Sequence, residues 1–159
     1  MNIFKAAQNN DLTMINDHLK DINLVNNNGH NALMIACSYE QESMVNELLS
    51  KGAHITLINK EWAQKNIDTQ ASKMIFTAIA ADDFLANGKF EQLGSAYNEL
   101  FYSRILYFLN QDQNPSQYEI FKSYCKDNPI EFTSNTLSEI DELKESFDDN
   151  GDSWRYRIF

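Results

Sequence analysis

The chain has 159 residues, 43% of them apolar and only 2 of them proline, and its 13 basic against 23 acidic side chains give a formal net charge of −10. No apolar run approaches the roughly 18 residues of a transmembrane helix, and the acidic balance disfavours direct binding to nucleic-acid phosphate or anionic lipid. The opening stretch MNIFKAAQNND lacks the basic and long apolar regions of a secretory leader, so the expectation is an ordered, helical, cytoplasmic protein.

In chain order, residues 1–21 place Ile3, Ala6 and Ala7, then Met14, Ile15 and Leu19, at the three-and-four spacing of two short amphipathic helices. Residues 26–53 repeat this arrangement more completely. A tight turn at Asn28-Gly29 leads into an apolar helix (Ala32, Leu33, Ile35, Ala36). A polar gap follows, then a second helix (Met44, Val45, Leu48, Leu49) and a closure at Gly52-Ala53. The two segments match at a shift of 30, as Ile3/Leu33, Ala6/Ala36, Ala7/Cys37, Met14/Met44, Ile15/Val45 and Leu19/Leu49. A shift of 33 pairs Ile22, Leu24, Val25 and Asn26 with Ile55, Leu57, Ile58 and Asn59. A weaker third copy at a shift of 31 sets Ala63, Ile67, Ile75, Phe76 and Ile79 against Ala32, Ala36, Met44, Val45 and Leu48; its turn glycine is missing and Trp62 stands nearby. One such unit cannot bury its own apolar faces, so the copies must stack.

This run resembles an ankyrin repeat. Gly29, Leu33, Ala36, Val45, Leu48, Leu49, Gly52 and Ala53 fall on that family's pattern, while Asn31, Ala32 and Met34 replace its usual Thr, Pro and His. The resemblance covers residues 1 to 81 and implies an all-α fold, a short helical-hairpin solenoid. Residues 1–21 would be a cap, 22–54 a full repeat and 55–81 a degenerate one; 82–159 would be a helical extension packed on the repeats. It further implies a protein-binding module that grips its partner with turn tips and the exposed ends of first helices. Those positions are Asn27, Asn28 and His30 on one tip, Ser38 and Tyr39 at the end of the following helix, and Lys60, Glu61 and Trp62 on the next tip. Tyr39 and Trp62 are residue types favoured in binding hot spots. The register of Tyr39 faces away from Leu33 and Ala36, whereas Trp62 suits internal packing and an interface equally.

Beyond Asn87-Gly88, apolar positions 90, 93, 97, 100, 101, 105, 108 and 109 predict one long helix with a broad aromatic face. Asn114-Pro115-Ser116-Gln117 has the character of a helix start, with Tyr118, Phe121, Tyr124 and Cys125 facing inward and Asn128-Pro129 ending the helix. Thr136 with Glu139 predicts a further capping box before Leu137, Ile140, Leu143 and Phe147. In the tail SWRYRIF, Trp154, Tyr156 and Ile158 alternate with arginines, as in a short docked strand. Residues 112–159 carry 5 basic and 11 acidic side chains, so most of the negative charge lies there. Glu142 and Glu145 would speed encounter with a basic protein, or simply belong to a solvated face.

Chemical motifs are few. DDNGD at 148–152 fails as a calcium loop, because the glycine register places Ser146 and Arg157 where carboxylates are required. His18, His30 and His54 are isolated, no CxxC, H-E-x-x-H or Walker loop occurs, and Asp82-Asp83 would point about 100° apart on a helix. Cys37 and Cys125 fit buried free thiols. No catalytic residue, metal or cofactor is expected. The expected role is a small acidic immunity or inhibitor protein that occludes a partner toxin or enzyme, a basic nuclease being one such partner. The alternatives are a bacterial effector or adaptor, and an enzyme whose site lies unrecognised in the C-terminal half.

Overall fold

The computed structural model describes residues 2–87 and 98–112, together with Glu119 and Phe121. Regular structure among the described residues is helical: α1 (Ile3–Gln8), α2 (Leu12–Asp17), α3 (Ala32–Ser38), α4 (Glu42–Ser50), α5 (Leu57–Lys65), α6 (Gln70–Asn87) and α7 (Asn98–Asp112), with a 3₁₀ turn at Leu19–Asp21. The chain divides into two compact units, Met1–Ile79 and Ala80–Phe159, with the boundary inside α6.

In the first unit, short helices survive because their ends are satisfied. The side chains of Asn2, Asp11, Asn31 and Thr56 accept hydrogen bonds from the amides of Lys5, Met14, Met34 and Asn59. Asn31 thereby does the capping work of the usual threonine. Three helices close alike: Asp11, Gln41 and Ala53 donate their amides to the carbonyls of Ala6, Ala36 and Leu48, each at 2.9 Å. This closure requires a left-handed residue just before the donor, and those residues are Asn10 (φ 57°), Glu40 (φ 55°) and Gly52 (φ 84°).

Stacking then buries what periodicity selected. Ile3, Ala6, Ala7 and Ile15 are buried, as are their partners Leu33, Ala36, Cys37 and Val45. Helix α3 packs on α1, α4 and α5. Polar links pin successive repeats together: Gln41 Nε2 donates to the Gln8 carbonyl at 2.9 Å, and the His54 amide donates to Asn23 Oδ1 at 2.8 Å.

The third copy departs from its expected register. Thr56 caps α5 directly after the Gly52-Ala53 closure, which leaves no chain for a turn tip. Leu57 and Ile58 therefore begin a helix, whereas Leu24 and Val25 lie in the loop before the tip. Helix α5 starts at Leu57 rather than near Ala63, and Ile67 sits 59% exposed in the turn that follows it. Ala63 and Ile75 are buried as expected, but Phe76 lies at the surface. The hydroxyl of Ser72 ties α6 to α5 through the Ala63 carbonyl at 2.7 Å.

In the second unit, Phe84, Phe101, Tyr102 and Phe121 form an aromatic cluster, with Phe84–Phe101 edge-to-face at 6.0 Å between centroids and Tyr102–Phe121 tilted at 5.7 Å. Helix α7 is buried on more than the one face expected: residues 100–106 are all buried, Arg104 among them. That charge is held by Asp82, whose Oδ1 and Oδ2 accept from Arg104 Nε and Nη2 at 2.8 and 3.0 Å, and by the Phe108 ring 5.0 Å away. Asp83, its neighbour in sequence, is exposed. The expected positions 90, 93 and 97, the helix start at 114–117, the inward Tyr118, Tyr124 and Cys125, the box at 136–139 and the tail strand lie outside the described residues.

Candidate functional site

The one turn tip is built by a residue that sequence reasoning passed over. Asn26 Oδ1 accepts from the amides of Asn28 and His30 at 2.9 and 3.0 Å, and the Asn26 carbonyl accepts from Gly29 N at 2.9 Å. This frame leaves Asn27 and Asn28 exposed and His30 half-buried. Gly29 has φ 76°, and a Cβ there would meet only Ile58 Cδ1 at an ordinary 3.5 Å. Gly29→Ala is therefore expected to cost about 1–2 kcal/mol from backbone conformation alone, read by urea unfolding. A loss confined to the experimental error would mean that the tip relaxes freely.

Ser38 and Tyr39 are exposed where α3 ends, Tyr39 at 53%. Lys60, Glu61 and Trp62 do not form a second tip, since they lie within α5. Lys60 and Glu61 are exposed, and Trp62 is half-buried. Glu142 and Glu145 lie outside the described residues.

Stacking brings Ser38 and Trp62 together. A groove of about 540 Å³ opens between the ends of α3 and α5 and the starts of α4 and α6, and both residues line it. The tip residues Asn27, Asn28 and His30 are not part of it. Its walls also carry Glu40, Glu42 and Asp68, which sequence reasoning missed, and among the described residues no Lys, Arg or His. The usable signal was the shift of 30, which places residue 40 in the turn beside Tyr39. Among the described residues, none of the three carboxylates forms an ion pair. The Trp62 carbonyl accepts from both the amide and the side chain of Asn66, at 3.0 and 2.8 Å, which holds that wall in place.

Cys37 borders the groove but is only 2% exposed, and burial pushes its thiol up to about 12. It holds almost no thiolate at neutral pH, which makes it a packing residue rather than a nucleophile. No group of three His, Cys, Asp or Glu side chains among the described residues is placed to hold a metal ion, and no described helix is long and apolar enough to cross a membrane.

Compared with known proteins, residues 3–82 match the family model described as ankyrin repeats, in 3 copies. No curated protein and no solved structure matches the chain.

Proposed function

Because the chain belongs to the ankyrin-repeat family, whose repeats are protein–protein interaction modules, we propose that it is a small acidic immunity or inhibitor protein that binds and occludes a basic toxin or enzyme. The observation that carries this reading is the repeat-borne groove, with Ser38 and Trp62 in its walls and Tyr39 exposed at the end of α3. A net charge of −10 supports a basic partner, since complementary fields steer encounter. The free, buried Cys37 is compatible with a reducing cytoplasm.

The test is reconstitution. A partner captured from the native cell, purified and remixed, is expected to form a stoichiometric complex in which its own activity is lost. Tyr39→Ala is expected to weaken that complex about tenfold or more while leaving the thermal midpoint within about a degree or two of the parent. A fully active partner within the complex would refute inhibition. A drop in thermal midpoint with unchanged affinity would move Tyr39 from the interface into the packing.

A further inference from the structure

Resting on the reading of the chain as a protein-binding module, we infer that the groove between α3, α4, α5 and α6 receives a lysine or arginine side chain on a basic segment of the partner protein. Charge complementarity sets the occupant. Among the described residues, Glu40, Glu42 and Asp68 line the groove with no basic residue beside them in its walls, and none of the three is neutralised by an ion pair. A cation entering there meets three carboxylates that no ion pair among the described residues balances. A neutral or acidic side chain meets only their repulsion or the cost of drying them.

The groove also has the right surface for the stem of such a side chain. Trp62 stands half-exposed in its wall, and its backbone carbonyl accepts two bonds from Asn66. Among the described residues the indole makes no side-chain hydrogen bond. An indole that shares a groove with three carboxylates suits a guanidinium or ammonium side chain, whose charge an aromatic ring attracts and whose methylenes cover apolar surface. At about 540 Å³ the space admits a long side chain together with part of the segment that bears it.

Glu40 adds an argument from the backbone. It holds φ 55° in the turn that closes α3, where the turn closing α1 has Asn10 at φ 57° and the turn closing α4 has Gly52 at φ 84°. Asparagine and glycine tolerate that region, whereas a glutamate is disfavoured in it. The chain thus keeps a carboxylate at the groove's edge in a conformation that favours other residues.

The full-length chain bearing Trp154→Phe makes the test direct, because it leaves Trp62 as the sole tryptophan of the 2 present. Titration with an arginine–glycine decapeptide is expected to give a saturable, salt-sensitive change in Trp62 emission, and a glutamate–glycine decapeptide none. Combining Glu40→Gln, Glu42→Gln and Asp68→Asn is expected to weaken binding of the basic peptide about tenfold. Glu40→Asn alone should weaken it a few-fold while raising the thermal midpoint by a few degrees, since the turn then suits its backbone. The inference is overturned if the basic peptide does not bind, if it binds without changing Trp62 emission, or if the triple variant binds it as tightly as the parent. The last two results would place the peptide on the acidic residues beyond position 112. A natural partner lost on Tyr39→Ala but retained at full affinity by the triple variant would overturn the cation receptor and leave the module reading standing.

Discussion

Replacing Asp82 with alanine is expected to destabilise the folded protein by about 3 kcal/mol, seen as a lower urea midpoint at unchanged slope. The reason lies in the asymmetry of the pair. The Arg104 side chain is only 2% exposed, while that of Asp82 is 41% exposed. Truncation withdraws the carboxylate, and with it two charge-assisted bonds, from a guanidinium that cannot move out to water. The partial exposure of Asp82 keeps the figure at the low end of the range for broken buried pairs. Asp83→Ala, one residue along and exposed, is the control and should change stability by less than about 0.5 kcal/mol. Arg104→Met should cost much less than Asp82→Ala, because an apolar side chain suits a buried position beside the Phe108 ring and brings no charge to balance. Equal losses for the two aspartates would show that the ion pair is incidental.

Asn59→Ala is expected to cost about 2 kcal/mol by unfolding the first unit more readily. Asn59 is 1% exposed and Asn31 is 2% exposed, and their side-chain amides bond reciprocally at 3.0 and 3.1 Å. Asn59 Oδ1 also accepts from Thr56 N at 2.9 Å and from Thr56 Oγ1 at 3.0 Å, while Asn31 Nδ2 reaches the His54 carbonyl at 3.3 Å. One buried amide pair therefore serves the caps of α3 and α5 together. Alanine at 59 removes the side-chain acceptor of the Thr56 amide and half of the bonds made by Asn31. A double-mutant cycle between Asn31→Ala and Asn59→Ala should give a coupling of about 1 kcal/mol. Additive losses would mean that the two caps act independently.

The stacked core was legible because the same positions must be apolar in each copy. Ile3 with Leu33, Ala6 with Ala36 and Ala7 with Cys37 are buried as paired. The third copy misled because apolar spacing does not record a deleted turn. A shift of 31 assumed a tip that the chain lacks, and so it placed Ile67 inside a helix and Lys60 to Trp62 on a turn. The informative residues there were Thr56 and Asn59, which close a capping box in which asparagine stands for the usual glutamate or glutamine. The groove was half legible. Ser38 and Trp62 could be named from the repeat pattern, but Glu40 and Asp68 stand in separate turns and Glu42 at the start of α4, and their meeting depends on how the repeats stack. Arg104 was hidden because a cation in an apolar helix reads as a surface position until Asp82 is seen beside it.

The order of burial in the first unit has a kinetic consequence. Helices α3 and α4 are joined by three residues, Tyr39 to Gln41, and between them bury Ala32, Leu33, Met44, Val45, Leu48 and Leu49. Closing so short a loop costs little chain entropy, and the closure at Ala53 is a local bond as well. The α1–α2 loop is equally short, but the middle hairpin buries more apolar side chains, so it is the favoured place for order to begin. Its flanks, α1 and α5, gain their packing against α3 only once it exists. A chain emerging from the ribosome can organise this centre before the acidic last third has been synthesised, so early folding proceeds without the repulsion that the finished chain carries.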